Sequence, residues 1–234
     1  MTPILILAGG LGSRMYPLTL DKPKCLLPVN GLEFLFHQLT RIFDLGSQNV
    51  VLCLGHLSDQ VIARLRDSSF DRHIHVSLDG NKNLGTGGAI LRYLDHLEEV
   101  PKDFIVLYGD VYPDDCFRKI LEVELSTKAV AMSAYKNENK LEPSNILVKD
   151  ASTAFYNKFY PLAGSKHIDA GYSKIRTSEF VKYSTGIESF DFGDFLHSCS
   201  DQNLIFPVET NSQPLEIGSM RGYEKCCQIL GETK

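Results

Sequence analysis

Residues 4–14 are ILILAGGLGSR, an apolar run that ends in a cluster of glycines and is followed at once by Arg14. An apolar run of this length before glycines is typical of a buried strand. Glycine has no side chain and tolerates positive φ, so a glycine-rich loop brings backbone N–H groups close to a ligand and favours an anion. Arg14 and Lys24 add positive charge close to this loop. The stretch therefore predicts a strand that leads into an anion-binding loop, and its two cations suit a triphosphate.

The composition is that of an ordinary globular chain and excludes several classes of protein. The 234 residues suffice for one sizeable core, and a net charge of −5 disfavours general nucleic-acid binding, which usually requires a basic face. No apolar run approaches a membrane span, and the first residues lack the pattern of a signal peptide. The six cysteines form no C-x-x-C pair, which indicates reduced thiols. We therefore expect a cytoplasmic protein with no membrane or nucleic-acid partner, and a homo-oligomer stays open.

Strand and helix patterns alternate along the first half of the chain. The predicted strands are 4–8, 49–55, 73–79, 103–110 and 129–135, and the predicted helices are 33–46, 58–67, 87–97 and 114–125. This alternation predicts an α/β fold: a Rossmann-like, mainly parallel mixed sheet flanked by helices. In such sheets ligands bind beyond the carboxyl ends of the strands. Three segments occupy that position, namely Gly9–Arg14, the stretch after Asp79, and Gly109-Asp110.

The second half of the chain is more irregular. Its predicted strands are short and cover 145–149, 153–161, 167–175, 204–210 and 214–218, whereas 177–184, 191–199 and 220–230 have the spacing of helices. We find no linker, no low-complexity segment and no internal repeat. The whole chain is therefore expected to form one domain, 1–234.

The glycine-rich loop differs from two common phosphate-binding motifs. It is not a Walker A motif, and it is not a Rossmann fingerprint, because GGLGSR lacks the third glycine and a proline-containing segment follows. A dinucleotide oxidoreductase would also need an acidic residue at the end of the second strand, where this chain has Gly55-His56. Taken alone, the loop is about as compatible with a tight structural turn.

A longer motif favours the functional interpretation. Residues 7–29, LAGGLGSRMYPLTLDKPKCLLPV, resemble the signature of the sugar-1-phosphate nucleotidylyltransferases, usually written LAGGxGTRLxPLTxxxPKPxLPV. The resemblance implies the nucleotide-diphospho-sugar transferase fold. It also implies that Arg14 and Lys24 hold and polarise the triphosphate. The loop residues that it assigns to the nucleotide are Ala8, Gly9, Gly10, Leu11, Gly12 and Ser13.

Two further segments of the first half continue the resemblance. NLGTGGAI (83–90) is similar to the family's LGTAGA segment, which implies that Gly85, Thr86 and Gly87 contact the base and ribose. VLYGDV (106–111) is similar to the family strand that ends in Gly-Asp, which implies that Asp110 binds Mg²⁺. A carboxylate at the end of a central strand suits that hard cation. Residues 1–135 are thus expected to form the nucleotide-binding half.

Residues 136–234 are expected to form the sugar-phosphate-binding half. AFYNKFY (154–160) resembles the family's F-x-E-K segment, which makes Lys158 a catalytic residue that binds the sugar phosphate. Asn157 stands where the family has a glutamate that contacts the sugar. The identity of the sugar depends on that departure.

Two more segments of this half resemble the family. IDAGYSKI (168–175) is similar to the family strand NAGIYVF, which implies that Asp169, Ala170 and Gly171 lie against the sugar. PLEIGSMRGYEKC (214–226) is similar to the closing W-x-D-I-G-T-P-x-x-Y segment. Glu216 then replaces the second metal-binding aspartate, and its extra methylene shifts the metal or leaves a water between them.

The resemblance implies Mg²⁺-dependent nucleotidyl transfer from an NTP to a sugar 1-phosphate. Residues 28–39 and the LGTGGAI segment are similar to the small guanylyltransferases for D-glycero-D-manno-heptose 1-phosphate, so GTP and that heptose phosphate are the favoured pair. A cytidylyl- or uridylyltransferase for a hexose 1-phosphate, an amino-sugar phosphate or phosphocholine stays open. A non-catalytic regulatory subunit that binds nucleotide sugars is the alternative of another class. The presence of Arg14, Lys24 and Asp110 argues against it.

Overall fold

The centre of the computed structural model, which describes residues 2–80 and 82–231, is a mixed sheet flanked by helices. The strands are β1 (Ile4–Leu7), β2 (Pro28–Val29), β3 (Leu32–Glu33), β4 (Val50–Leu54), β5 (Ile74–Leu78), β6 (Asp103–Tyr108), β7 (Val111–Tyr112), β8 (Val130–Lys136), β9 (Ile146–Asp150), β10 (Thr153–Tyr156), β11 (His167–Arg176), β12 (Ile205–Thr210) and β13 (Leu215–Glu216). The α-helices are α1 (Phe34–Asp44), α2 (Ser58–Arg66), α3 (Gly85–Asp95), α4 (Phe117–Glu122), α5 (Thr177–Ser184), α6 (Phe192–Asp201) and α7 (Met220–Ile229). Within the described part of the chain, no helix is long and apolar enough to cross a membrane.

The large sheet has a parallel half and a half organised around one antiparallel strand. Strands β5, β4, β1 and β6 lie side by side in that order and run parallel. Strand β11 then pairs antiparallel with both β6 and β8, and β12 is parallel to β8. The pair β9–β10 extends the sheet beside the start of β11. The predicted Rossmann-like mixed sheet is confirmed.

Apolar residues cover both faces of this sheet at its centre, which explains why β1 and β4 are continuous apolar runs. Along β1, Ile4 and Ile6 belong to a core cluster that includes residues of α1, α2 and α4. Leu5 belongs to the cluster on the opposite face, with residues of α3, α5 and α6. There Phe180 is fully buried, and its ring lies 5.1 Å from that of Phe195. Since side chains alternate along a strand, every residue of β1 finds a buried partner.

The register of the parallel strands sets where the functional loops begin. Leu7 of β1 is opposite both Cys53 of β4 and Tyr108 of β6. The pairing continues one residue further, because the N–H of Gly109 donates to the carbonyl of Leu7 at 3.0 Å. A Cβ at Gly109 would lie 2.6 Å from that carbonyl oxygen, so only glycine fits. The glycine-rich loop and Asp110 therefore leave the sheet at the same level.

A small third core joins the two ends of the chain. Met15, from the glycine-rich segment, is fully buried with Ile217 and with Cys226 of α7. The hydroxyl of Tyr223, also on α7, donates to the carbonyl of Pro28 at 2.5 Å. Helix α7 is thereby packed against the N-terminal segment that carries Arg14.

Two predicted elements are shorter in the structure, for local reasons. The strand predicted at 153–161 ends at Tyr156, because the side-chain oxygen of Asn157 accepts the N–H groups of Phe159 and Tyr160 in a turn. The helix predicted at 114–125 covers only Phe117–Glu122.

Candidate active site

Two neighbouring cavities lie at the carboxyl ends of the parallel strands. The first is lined by the start of the glycine-rich loop, by the end of β5 and by the N-terminus of α3. The second is lined by Arg14, by part of β11 and by the segment that leads into α7. Tyr108 and Asp110 line both cavities. The end of β6 is therefore the place where two bound molecules would meet.

The structure places only some of the predicted nucleotide residues in the first cavity. Those that line it are Ala8, Gly9, Gly10, Lys24, Gly85, Thr86 and Asp110. Leu11 and Ser13 are not among its lining residues, and Gly12 adopts the left-handed conformation at φ 66° in the turn that follows. Gly87 packs elsewhere: a Cβ there would overlap the ring of Phe190.

The cation and the carboxylate predicted to be catalytic form an ion pair at the border of the cavities. Nζ of Lys24 lies 2.5 Å from Oδ2 of Asp110, and both side chains are about one-fifth exposed. Lys24 follows Pro23, and a short helical turn over Lys24–Leu26 fixes its backbone. The pair holds one positive and one negative group ready where phosphates would enter.

Arg14 and Glu216 approach the same space as Asp110. An added Cβ at Gly218 would lie 2.8 Å from Oδ2 of Asp110, 2.9 Å from Oε2 of Glu216 and 3.6 Å from Nη2 of Arg14. The pairing of β13 with β7 brings Glu216 opposite Val111, next to Asp110. Two carboxylates and a guanidinium therefore converge on the bare backbone of Gly218.

The donor set fits a hard cation such as Mg²⁺. Asp110 and Glu216 supply carboxylate oxygens, and a magnesium site commonly takes one or two carboxylates and completes its shell with water and substrate phosphates. Within residues 2–80 and 82–231, no group of three or more potential ligands from His, Cys, Asp and Glu is clustered. Water and phosphate oxygens would thus have to supply the remaining positions.

Glu216 also has a structural role that an aspartate would not fill in the same way. Its Oε2 accepts the N–H groups of Gly218 and Ser219, and its Oε1 accepts the hydroxyl of Ser219 at 2.6 Å. Ser219 in turn caps α7 by accepting the N–H of Gly222. A Cβ at Gly222 would overlap the Glu216 carboxylate, so the side chain of Glu216 fills the space that a side chain at position 222 would occupy.

The predicted sugar-binding residues of β11 line the second cavity. Asp169, Ala170 and Gly171 all do so, and Oδ1 of Asp169 accepts the N–H of Gly171 at 2.8 Å. Gly171 has φ 95°, and a Cβ there would lie 2.6 Å from Val111. Burial raises the pKa of Asp169 to about 7, against the effect of the Gly171 N–H, and the carboxylate of Glu142 adds to the rise.

Lys158 and Asn157 lie outside the lining of both cavities. Nζ of Lys158 pairs with Oδ1 of Asp191 at 2.7 Å, and Asp191 caps the N-terminus of α6. Asn157 holds the turn described above. Thr86 is also engaged, because its hydroxyl accepts the N–H of Phe192 at 2.7 Å. The resemblance alone did not indicate these contacts.

Sequence reasoning missed two residues of this region. Gln38 of α1 is fully buried, and its Nε2 donates to the carbonyls of Tyr108 at 3.1 Å and Val111 at 2.6 Å. It therefore fixes the turn that carries Asp110. Asp79 lines the first cavity directly after β5. Its position after a predicted parallel strand was the available signal for Asp79, whereas a glutamine within an amphipathic helix gives none.

Two cysteines line the first cavity as neutral groups. Burial raises the pKa of Cys25 to about 12 and that of Cys53 to about 12. Both thiols therefore stay protonated near neutral pH, and a thiol is a poor nucleophile compared with a thiolate. They form part of the apolar wall of the cavity.

Comparison with known proteins defines the family. The model of the nucleotidyl transferase family matches residues 4–144, and the chain belongs to that family. It is 32% identical over 118 residues to the mannose-1-phosphate guanylyltransferase catalytic subunit beta of Xenopus tropicalis, which covers 50% of this chain and 33% of that protein. It is 28% identical over 229 residues to the bifunctional protein GlmU of Methanococcus maripaludis, which covers 92% of this chain and 51% of that protein. The chain thus spans between a third and a half of the length of these two relatives.

A solved structure shows the same fold along almost the whole chain. HddC from Yersinia pseudotuberculosis, complexed with GMP-PN, superposes with a TM-score of 0.81 over 98% of this chain and 100% of that one, at 24% sequence identity. The likeness includes β11 and α7, beyond the residues that the family model matches. The shared fold therefore extends over both halves of the chain.

Replacing Gln38 should weaken the fold at the turn that carries Asp110. In Gln38→Leu, the carbonyls of Tyr108 and Val111 lose their side-chain donor inside the core, so we expect the free energy of unfolding to fall by about 1–3 kcal/mol. Urea denaturation measures the change. Gln228→Leu, at an exposed position of α7, is the matched control and should leave stability nearly unchanged. Equal stability of the Gln38 variant and the wild type would contradict the anchoring role.

Replacing Asp169 should change how stability depends on pH. The pKa of its carboxyl is about 7 in the folded chain because of burial, and near 3.9 in the unfolded chain. Between these values the folded state holds a proton that the unfolded state has lost, so wild-type stability falls as pH rises from about 4 to about 7. Asn does not titrate, so the stability of Asp169→Asn relative to wild type should rise by about 2–4 kcal/mol over that range.

Urea denaturation at pH 4.5 and pH 8 measures this difference. Asp71→Asn removes a carboxylate from an exposed position and serves as the control. A stability difference that stays constant with pH would show that Asp169 does not hold an extra proton in the folded state.

Proposed function

We propose that the protein transfers a guanylyl group from GTP to a sugar 1-phosphate, with D-glycero-D-manno-heptose 1-phosphate as the favoured acceptor, and releases pyrophosphate. The observation that carries the proposal is the pair of cavities that meet at Tyr108 and Asp110. One cavity has the glycine-rich loop and a helix N-terminus that suit a nucleotide, and the other has the polar strand β11. Membership of the nucleotidyl transferase family supports the class of reaction.

The reaction is a direct displacement at phosphorus. An oxygen of the acceptor phosphate forms a bond to the α-phosphorus of GTP, and the bond from that phosphorus to the pyrophosphate oxygen breaks. Near neutral pH a phosphate oxygen is already ionised, so the chain needs to supply neither a general base nor a nucleophile. The chain must instead bring two anions into line and stabilise the charge that builds up between them.

The cations predicted from sequence would do this work. Arg14 and Lys24 are placed at the cavities to bind phosphate oxygens, and Lys158 would have to leave Asp191 before it reached the acceptor. Asp110 and Glu216 would hold Mg²⁺, which neutralises charge on the phosphate oxygens as they meet. Removing one electrostatic contact of this kind typically lowers the rate by about a hundred- to a thousandfold.

The polar end of the first cavity supports guanine as the base. Within residues 2–80 and 82–231, no group donates a hydrogen bond to the carboxylate of Asp79, which lines the cavity. Burial raises the pKa of Asp79, and the charge of Arg92 opposes that rise. Asn83 lines the same cavity, and its Oδ1 accepts the N–H of Gly85 at 3.3 Å. Among the residues that the structure describes, none accepts a hydrogen bond from its side-chain amide.

Guanine presents the complementary groups. Its N1–H and 2-amino group are neighbouring donors that one carboxylate accepts together, and its O6 is an acceptor for an amide. Adenine and the pyrimidines lack that pair of donors. Leu7, Cys53 and Ala89 supply apolar lining for the plane of the base.

The order of the strands gives a nucleotide enough room along this edge. Asp79 follows β5 and Asp110 follows β6, which are three strand spacings apart. At about 4.8 Å per spacing this is roughly 14 Å, which is comparable to an extended nucleotide from base to phosphates. The base would lie at the β5 side and the phosphates at the β1 and β6 side.

The names of similar proteins agree with a guanine nucleotide. The Xenopus tropicalis relative is a guanylyltransferase, and the Yersinia pseudotuberculosis structure contains GMP-PN. The preference for a heptose phosphate depends on the resemblance of residues 28–39 and 84–90 to the heptose guanylyltransferases. The choice of sugar is the most specific part of the proposal.

Pyrophosphate release with Mg²⁺ tests the reaction and both substrates together. The assay covers GTP, ATP, CTP, UTP and dTTP against the heptose phosphate, hexose 1-phosphates, amino-sugar phosphates and phosphocholine. Release that requires GTP with the heptose phosphate is the expected result. Release with CTP or UTP would replace the proposed base, and nucleotide binding without release for any pair would favour a regulatory subunit.

The role of Asp79 predicts a change of base specificity. In Asp79→Asn, the acceptor for N1–H and the 2-amino group becomes in part a donor, so we expect use of GTP to fall by roughly a hundredfold or more. Xanthosine triphosphate carries an oxygen in place of the 2-amino group, so its use should rise. Steady-state kinetics with both nucleotides measures the switch. Asp95→Asn, at the far end of α3, is the control. Unchanged discrimination between GTP and xanthosine triphosphate in the Asp79 variant would contradict the assignment.

A further inference from the structure

Helix α7 presents two cations to the second cavity that the sequence motifs did not indicate. Arg221 and Lys225 both line this cavity. Within residues 2–80 and 82–231, neither side chain forms a hydrogen bond or an ion pair. The two lysines predicted from motifs are already paired, Lys24 with Asp110 and Lys158 with Asp191. Arg221 and Lys225 are therefore available to a ligand at no cost in broken ion pairs.

Their position on the helix increases the attraction for an anion. Residues four apart lie on the same face of a helix, so Arg221 and Lys225 point in a common direction. The helix begins at Met220 with Ser219 as its cap, which puts Arg221 in the first turn, and that turn contains no acidic residue. A cation there is unfavourable next to the positive end of the helix dipole. A bound anion would offset that unfavourable term for Arg221.

Carboxylates line the same cavity. Asp169 lies on β11, and Glu142 lies on the loop 137–145. That loop has its own hydrogen bonds: Asn137, which is fully buried, donates to the carbonyl of Glu142 at 2.5 Å and accepts the N–H of Leu141 at 2.9 Å. Glu142 is thereby presented to the cavity by a fixed backbone. The cavity thus offers the cations of α7 to an anionic group, and the carboxylates of β11 and of the 137–145 loop as acceptors for hydroxyl groups.

We infer that Arg221 and Lys225 bind the phosphate group of the acceptor, with the hydroxyl groups of the acceptor directed toward Asp169 and Glu142. The inference deepens the proposed function and rests on it for the identity of the acceptor as a sugar 1-phosphate. The two cations line the second cavity and not the first, which favours the acceptor over the NTP as their ligand. Arg14, which the resemblance assigns to the triphosphate, lines the second cavity beside Asp110 without a hydrogen bond from the described residues, so it adds positive charge where the two phosphates would meet.

Kinetics of Arg221→Gln, Lys225→Gln and the double variant test the inference, with the acceptor and the nucleotide that the wild type uses. Each single change removes a charge-assisted contact, so we expect the KM for the acceptor to rise roughly tenfold to a hundredfold. The KM for the nucleotide should stay within about twofold. Arg66→Gln on α2 and Lys119→Gln on α4 make the same charge changes at exposed positions outside both cavities, and they should leave both KM values unchanged.

Two kinetic results would overturn the inference. A rise in the KM for the nucleotide alone would assign the α7 cations to the triphosphate. Unchanged KM values for both substrates in the double variant would show that Arg221 and Lys225 are solvent-exposed charges that bind neither substrate.

A binding measurement separates this inference from the proposed reaction. A thermal-shift assay without nucleotide measures how much the wild type is stabilised by the sugar 1-phosphates used in the pyrophosphate-release assay. Loss of that stabilisation in the double variant, with the control variants unaffected, supports binding of the acceptor phosphate by Arg221 and Lys225. This holds even if no pair of substrates releases pyrophosphate. Equal stabilisation of the wild type and the double variant, or none of the wild type, overturns it.

Discussion

The site depends on the way β1 and β6 stay paired beyond their last strand residues. The N–H of Gly109 donates to Leu7, and the absence of a Cβ at Gly109 lets the two backbones remain in contact. Gln38 then holds the next turn from the other side through two carbonyls. Without this contact, the glycine-rich loop and Asp110 would leave the sheet at different levels, and the ion pair between Lys24 and Asp110 could not form.

The charged side chains around this contact suit two anionic substrates, which repel each other. At the border of the cavities a cation and a carboxylate neutralise each other, so this region is stable without a ligand. On α7, Arg221 and Lys225 have no hydrogen-bond or ion-pair partner among the described residues, and the carboxylates of β11 and the 137–145 loop line the same cavity. Cations and carboxylates both line the space that a substrate would fill. Such a lining favours a ligand that carries both an anionic group and hydroxyl groups.

The sequence predicted the fold well because its main signals are local. The apolar runs of the parallel strands and the spacing of their helices require no knowledge of distant contacts, and the mixed sheet is confirmed. The contacts within the site between residues far apart in the sequence were harder to predict. Lys158 pairs with Asp191, Asn157 completes its own turn, and Gln38 anchors a loop 70 residues away, and motif spacing indicates none of these contacts. The assignments of individual site residues therefore stay predictions.

The overlap between Glu216 and position 222 links two residues that a sequence comparison would treat separately. Because the carboxylate of Glu216 fills the volume of a side chain at 222, any larger residue there must be accompanied by a shorter one at 216. Glycine in the first turn of α7 costs about 1 kcal/mol of helix stability relative to alanine, and that cost persists as long as the glutamate is kept. Substitutions at 216 and 222 are therefore coupled. Replacing Glu216 by aspartate first leaves an unfilled space beside Gly222, whereas replacing Gly222 first creates a clash with the Glu216 carboxylate.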